Sequence, residues 1–175
     1  MKLLYFHGSG GGSLAELTKH FKKEGIELIS PEISYFDFVG NEHMFPMLDK
    51  LAKDADVIVG NSMGGWFAYH LGIKNNKDIL LFNPAISNKT LSHRCFKSIT
   101  PDIEGIKLDK TIRVLLSDLD EVVDHAKTRE TLANTNCDDI RISNLAAEKH
   151  NIDFRLMVGE MFDYCSTIKE DTNAD

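Results

Sequence analysis

The stretch Val57-Ile58-Val59-Gly60-Asn61-Ser62-Met63-Gly64-Gly65-Trp66-Phe67-Ala68-Tyr69-His70-Leu71 decides how this chain is read. Three apolar β-branched residues suit a buried strand, and the residues after Gly65 can continue as a helix. Between them stands G-x-S-x-G, the pattern of a nucleophile elbow. A serine on so sharp a turn brings the incoming strand and outgoing helix together, so the positions two before and two after it tolerate almost no side chain. Gly60 and Gly64 meet that demand. The same turn sets the backbone N–H of Met63 at the start of the helix, where unpaired donors and the helix dipole favour a developing negative charge. Ser62 is therefore the candidate nucleophile and Met63 a candidate oxyanion donor. The competing reading is a glycine-rich turn with an incidental serine; the strand before and the helix after favour the elbow.

Working outward, short β-type runs alternate with longer helical segments, the pattern of an α/β fold with a mostly parallel sheet of about six strands and helices on both faces. Strands are expected at residues 3–7, 26–30, 57–59, 79–82, 111–116 and, weakly, 140–143. Helical spacing covers residues 13–24, with Ser13 as a possible cap and Gly25 as a stop, then 44–53, 123–132 and 154–168. Residues 87–109 are polar and irregular, broken by Pro101 and Gly105, and form the one segment long enough to cap a site. Residues 1–169 are expected to form a single domain with that short cap, and 170–175 a polar tail.

The chain has 175 residues, enough for one well-filled domain, with 42% hydrophobic and 27% charged residues. Its net charge of −7 argues against a general affinity for nucleic acid or anionic membranes. Cys95, Cys137 and Cys165 are widely spaced, without C-x-x-C or a neighbouring histidine pattern, and read as reduced thiols with no metal site. The first apolar run, Leu3-Leu4-Tyr5-Phe6, is too short for a secretory signal, and no run approaches membrane-spanning length. A cytoplasmic protein without membrane insertion is the expectation; oligomeric state is not legible.

A serine nucleophile needs a base within hydrogen-bond reach and an acid to orient that base. In open α/β sheets such groups gather at the carboxyl ends of strands. Two downstream strand ends qualify: Ser117-Asp118-Leu119-Asp120-Glu121-Val122-Val123, and the loop containing His150. His20, His43, His70, His93 and His125 fall in expected helices or in the variable segment.

These residues resemble the α/β-hydrolases, in particular their small esterase-like members with a minimal cap. The resemblance runs from about residue 3 to 168 and implies the chain order Ser62, Asp120, His150. It takes Asp120 as the acid from the strand-end pattern of a small residue, the aspartate and a following valine; Asp118 fits that register less well, and Asp124 lies in the same acidic patch. Tyr5-Phe6-His7-Gly8 matches the family's first strand, which assigns the second oxyanion donor to the backbone N–H of Ser9 and a shaping role to His7. Asn83-Pro84-Ala85, closing the strand after the elbow, is also similar. The sequence departs from the family in lacking a glycine shortly before His150.

The implied activity is hydrolysis of a small-molecule acyl ester or thioester through an acyl-enzyme, with no cofactor. Two other classes remain open. Gly8-Ser9-Gly10-Gly11-Gly12-Ser13 opens a helix after a strand, as a dinucleotide-binding loop does, and Glu32 follows the second strand as a ribose-binding acid would; serine replaces the third glycine, and the Lys of a phosphate-binding loop is missing. A hydrolase-like fold can also serve as a binding or interaction protein with an idle triad.

Overall fold

The apolar residues of each strand alternate between two faces, and both faces are covered. The structure is a computed structural model that describes residues 1–35, 44–87 and 101–173. Strands β1 (Lys2–Phe6), β2 (Glu27–Ile29), β3 (Val57–Asn61), β4 (Asp78–Phe82), β5 (Ile112–Leu119) and β6 (Ile140–Lys149) form one sheet in the order β2-β1-β3-β4-β5-β6, every pair parallel. The helices are α1 (Thr18–Lys23), α2 (Met44–Asp54), α3 (Met63–Lys74), α4 (His125–Ala133) and α5 (Phe154–Asn173), with a 3-10 turn at Ala15–Leu17 ahead of α1. This is the expected α/β architecture with a six-stranded parallel sheet.

Leu4 and Phe6 of β1, Ile58 of β3 and Ile79 and Leu81 of β4 pack against α2, α3 and α4 through residues such as Leu48, Phe67 and Leu132. The alternate residues Leu3, Tyr5, Val57, Val59, Leu80 and Phe82 pack on the other side against Phe21 of α1 and Met157, Met161 and Tyr164 of α5. A period of two on the strands thus builds two cores at once, each fully buried large side chain contributing about 1.5–3 kcal/mol. Helix α3 is apolar on every side and buried from Met63 to Ile73, as expected of a helix wedged between the sheet and α2.

The expected helix 13–24 is a 3-10 turn followed by α1 only from Thr18, β5 runs on to Leu119, and two boundaries differ by more. Strand β6 extends to Lys149 instead of ending at Ser143: its second half, Asn144-Leu145-Ala146-Ala147-Glu148, is poor in β-formers and half exposed on the sheet edge, and pairing with β5 holds it extended. Pairing with β5 skips register between Ser117/Leu145 and Leu119/Lys149, and Ala147 takes a left-handed φ of 60° within that bulge. Helix α5 continues to Asn173, so most of the expected polar tail is helical. Of the expected cap, residues 88–100 lie outside the described residues; residues 101–109 are irregular apart from a bridge between Leu108 and Cys137.

One histidine of the fold titrates against folding. His70 lies buried on α3, its Nδ1–H donating to the Trp66 carbonyl (2.8 Å), its ring 4.3 Å from that of Trp66. Burial pushes its pKa down to about 4, the Trp66 bond opposing in part. Between the ordinary 6.5 and that value the unfolded chain holds the proton and the folded chain does not, so stability falls as pH drops through this window. Urea unfolding at pH 7 and pH 4.5 should therefore show wild type losing about 2–3 kcal/mol more than His70→Leu. Equal losses in the two proteins would refute the neutral, buried imidazole.

Candidate active site

The elbow is built by steric exclusion. A Cβ on Gly60 would stand 2.5 Å from the Gly64 carbonyl oxygen and 2.6 Å from Ala68 Cβ, and one on Gly64 would overlap the Phe6 and His7 carbonyls. With both positions bare, Ser62 closes the turn at φ 51°, ψ −116°, a conformation that L-residues rarely hold. Its backbone is pinned on both sides. Ser62 N–H donates to the Phe82 carbonyl (2.8 Å), and its own carbonyl accepts from Ala85 (2.9 Å) and Gly65 (3.0 Å). Met63 is the first residue of α3, so its N–H belongs to the set with no partner inside the helix.

Three side chains meet at the carboxyl ends of the strands. Ser62 Oγ lies 2.8 Å from His150 Nε2, and His150 Nδ1 lies 2.9 and 3.0 Å from Asp120 Oδ2 and Oδ1. A carboxylate only accepts, so Nδ1 carries the proton and Nε2 is left to accept from the serine hydroxyl. Asp120 follows β5 directly, and its side chain is wholly enclosed. Burial opposes its ionisation, but hydrogen bonds from His150 and from the amides of Val122 (2.8 Å) and Val123 (3.1 Å) outweigh it and hold the carboxyl below the usual aspartate range. His150 comes straight off β6, and the bulge at Ala147 re-aims the chain there.

The other candidates are placed elsewhere. Asp118 is exposed, and Asp124 caps α4, its carboxylate accepting from Lys127 N (3.2 Å) and pairing with Lys127 Nζ (2.7 Å). His20 packs near Phe162 and His70 is buried in α3, while His43 and His93 lie outside the described residues. Ser9 lines the cleft in front of Ser62, next to Gly8, where an added Cβ would sit 3.4 Å from Ser62 Cβ. His7 braces this loop. Its Nδ1–H donates to the Gly8 carbonyl (2.7 Å), Nε2 accepts from Ile33 N (3.0 Å), and the Tyr35 hydroxyl donates to the His7 carbonyl. Glu32, expected as the ribose acid of the rival reading, reaches across to the end of the glycine loop and accepts from Ser13 N (2.9 Å).

Two residues of the site escaped the sequence reading. Asn83, fully buried with φ 42°, accepts from Ser117 N (2.8 Å) and donates to Ser117 Oγ (2.8 Å) and to the His150 carbonyl (3.0 Å). It thereby ties the ends of β4 and β5 to the residue that follows β6. Asparagine at a strand end before proline was the only signal available. His125, at the start of α4, reaches Asp120 Oδ2 with Nε2 at 3.3 Å; its position inside an expected helix hid this.

The cleft measures about 660 Å³ and runs between the loop 8–13 and the β6–α5 connection, with Leu14, Ile152, Phe154 and Met157 supplying its apolar wall. Among the described residues no cluster of three or more His, Cys, Asp or Glu side chains is arranged to hold a metal ion, and no helix is long and apolar enough to cross a membrane.

The fold recurs in solved structures at low identity. Est1E from Butyrivibrio proteoclasticus aligns with 99% of this chain and 88% of its own at 13% identity and a TM-score of 0.69. An S-formylglutathione hydrolase from Agrobacterium tumefaciens aligns with 94% of this chain and 82% of its own at 12% identity and 0.67. A predicted CIB-like hydrolase from Thermoplasma acidophilum aligns over 94% and 85%, at 17% identity and 0.61. No curated protein matches the chain. The uncharacterised protein family UPF0227 matches residues 2–96, a span that includes Ser9, Ser62 and Met63. The chain therefore belongs to UPF0227 and carries the α/β-hydrolase fold.

Proposed function

We propose that the protein is a serine hydrolase that cleaves an acyl ester or thioester of a small molecule. The observation that carries the reading is the continuous chain from Ser62 Oγ through His150 to the ionised Asp120, with each bond at 3.0 Å or less. In the first half-reaction His150 Nε2 takes the Ser62 proton as Oγ bonds to the acyl carbon, and Asp120 stabilises the resulting imidazolium. The N–H groups of Met63 and Ser9 receive the oxyanion, a contribution of roughly 3 to 4 kcal/mol for each donor. Collapse breaks the bond to the alcohol or thiol, which leaves with the proton from His150. Water then gives a proton to His150 and its oxygen to the acyl carbon, and the acid departs as Ser62 is reprotonated. The open cleft and its short apolar wall suit a small acyl or aryl group.

Labelling with a fluorophosphonate probe tests this. Wild type is expected to label stoichiometrically at Ser62, His150→Ala at least about 100-fold more slowly, and Ser62→Ala not at all. Labelling that persists in Ser62→Ala would overturn the nucleophile assignment. A folded wild type that resists the probe would favour a hydrolase-like binding protein, and a thermal shift with NAD(H) would favour a nucleotide site on the glycine loop. A panel of esters and thioesters of increasing acyl length would then give the substrate range.

A further inference from the structure

We infer that His125 is a positioning residue for Asp120, holding the carboxylate in the plane from which it receives the His150 proton donor. This rests on the reading of Ser62, His150 and Asp120 as nucleophile, base and acid. The two carboxylate oxygens are held differently. Oδ1 accepts from the amides of Val122 and Val123 as well as facing His150, whereas Oδ2 faces only two imidazoles, His150 Nδ1 at 2.9 Å and His125 Nε2 at 3.3 Å, among the contacts of the described residues.

The terminal torsion of an aspartate is soft, and amide bonds to one oxygen alone leave the planar carboxylate able to pivot about that oxygen. A second donor on Oδ2 stops that rotation. The His125 ring is well placed for it, because it is carried by the first residue of α4, whose start is capped by Asp124, and not by the loop that carries Asp120. The ring is 24% exposed while the carboxylate beneath it is fully enclosed, so it also screens Asp120 from water. Because a carboxylate can only accept, His125 presents Nε2–H and adds a donor that shares the negative charge without competing for the Ser62 side of His150.

The test compares wild type, His125→Phe and His125→Gln on an activated acyl ester. Phenylalanine keeps a covering ring without a donor, and glutamine restores an N–H near the Nε2 position. The phenylalanine variant is expected to lose about tenfold in kcat with KM unchanged, and the glutamine variant to stay within about threefold of wild type. No loss in the phenylalanine variant, equal losses in both, or a change confined to KM would overturn the inference. His125→Leu takes the place of His125→Phe if the latter does not fold.

A readout independent of turnover separates this from the hydrolase reading. The downfield Nδ1–H proton of His150 should be sharp and visible by NMR in wild type and His125→Gln and broadened beyond detection in His125→Phe, where the carboxylate is no longer fixed against Nδ1. Equal visibility in all three proteins, or its absence from wild type, would overturn the role of His125. A wild type without turnover or probe labelling would instead defeat the hydrolase reading, and the resonance would still decide His125.

Discussion

Replacing Ser62 with glycine is expected to abolish catalysis and stabilise the fold in the same step. If Ser62 is the nucleophile, as proposed, its loss should lower kcat by about 10⁶-fold, the scale seen when the serine of a triad is removed. The stability gain has a separate origin. Ser62 is held at φ 51°, ψ −116°, where an L-residue costs about 1–3 kcal/mol and glycine almost nothing. Glycine returns part of this through the greater freedom of the unfolded chain, about 0.4–1 kcal/mol, so the net gain should be about 1 kcal/mol. Ser62→Ala should lose the same activity and keep the strain. Urea denaturation of the two variants, read beside their turnover, checks both halves. A glycine variant no more stable than the alanine variant would mean that the elbow stores no strain, and wild-type turnover in either would remove Ser62 from the chemistry.

The second large effect is expected at Asp120→Asn, about 10⁴-fold in kcat with little change in KM. The direction follows from the hydrogen bonds. The amides of Val122 and Val123 both donate to Oδ1, so the asparagine carbonyl must take that place and its NH₂ must face His150 Nδ1 and His125 Nε2. An NH₂ donates to Nδ1, drives the ring proton to Nε2, and leaves no acceptor for the Ser62 hydroxyl. Stability adds an independent check. The Asp120 carboxyl titrates below its ordinary range when folded, so its ionised form stabilises the protein above the unfolded value of 3.8, and this is lost as pH falls through the folded pKa. The gap in unfolding free energy between wild type and Asp120→Asn should be full at neutral pH and close below pH 4. An asparagine variant with kcat near that of wild type would remove the acid role.

Much of this was legible because it is local. The requirement for Gly60 and Gly64 around Ser62 is met within five consecutive residues, and the alternation in β1, β3 and β4 lies within each strand. Where local preference and tertiary pairing diverge, the reading stopped short. Residues 144–149 have little β-propensity and form a strand only because β5 offers a paired edge, and Lys169 onward stays helical beyond the last apolar position of α5.

The sequence by itself therefore determined the α/β class, the elbow and the identity of Ser62 as its apex, since these depend on residues that are neighbours along the chain. Choosing among Asp118, Asp120 and Asp124, and among the histidines, is a matter of distances between strand ends separated by whole crossover helices. Only the sheet order β3-β4-β5-β6 brings His150 to within 2.8 Å of Ser62 and hides Asp120 beneath it. The contributions of Asn83 and His125 are tertiary for the same reason. Asn83 acts by bonding residues that end or follow other strands, and His125 by reaching back over the turn to Asp120, so neither role shows before the chain is folded.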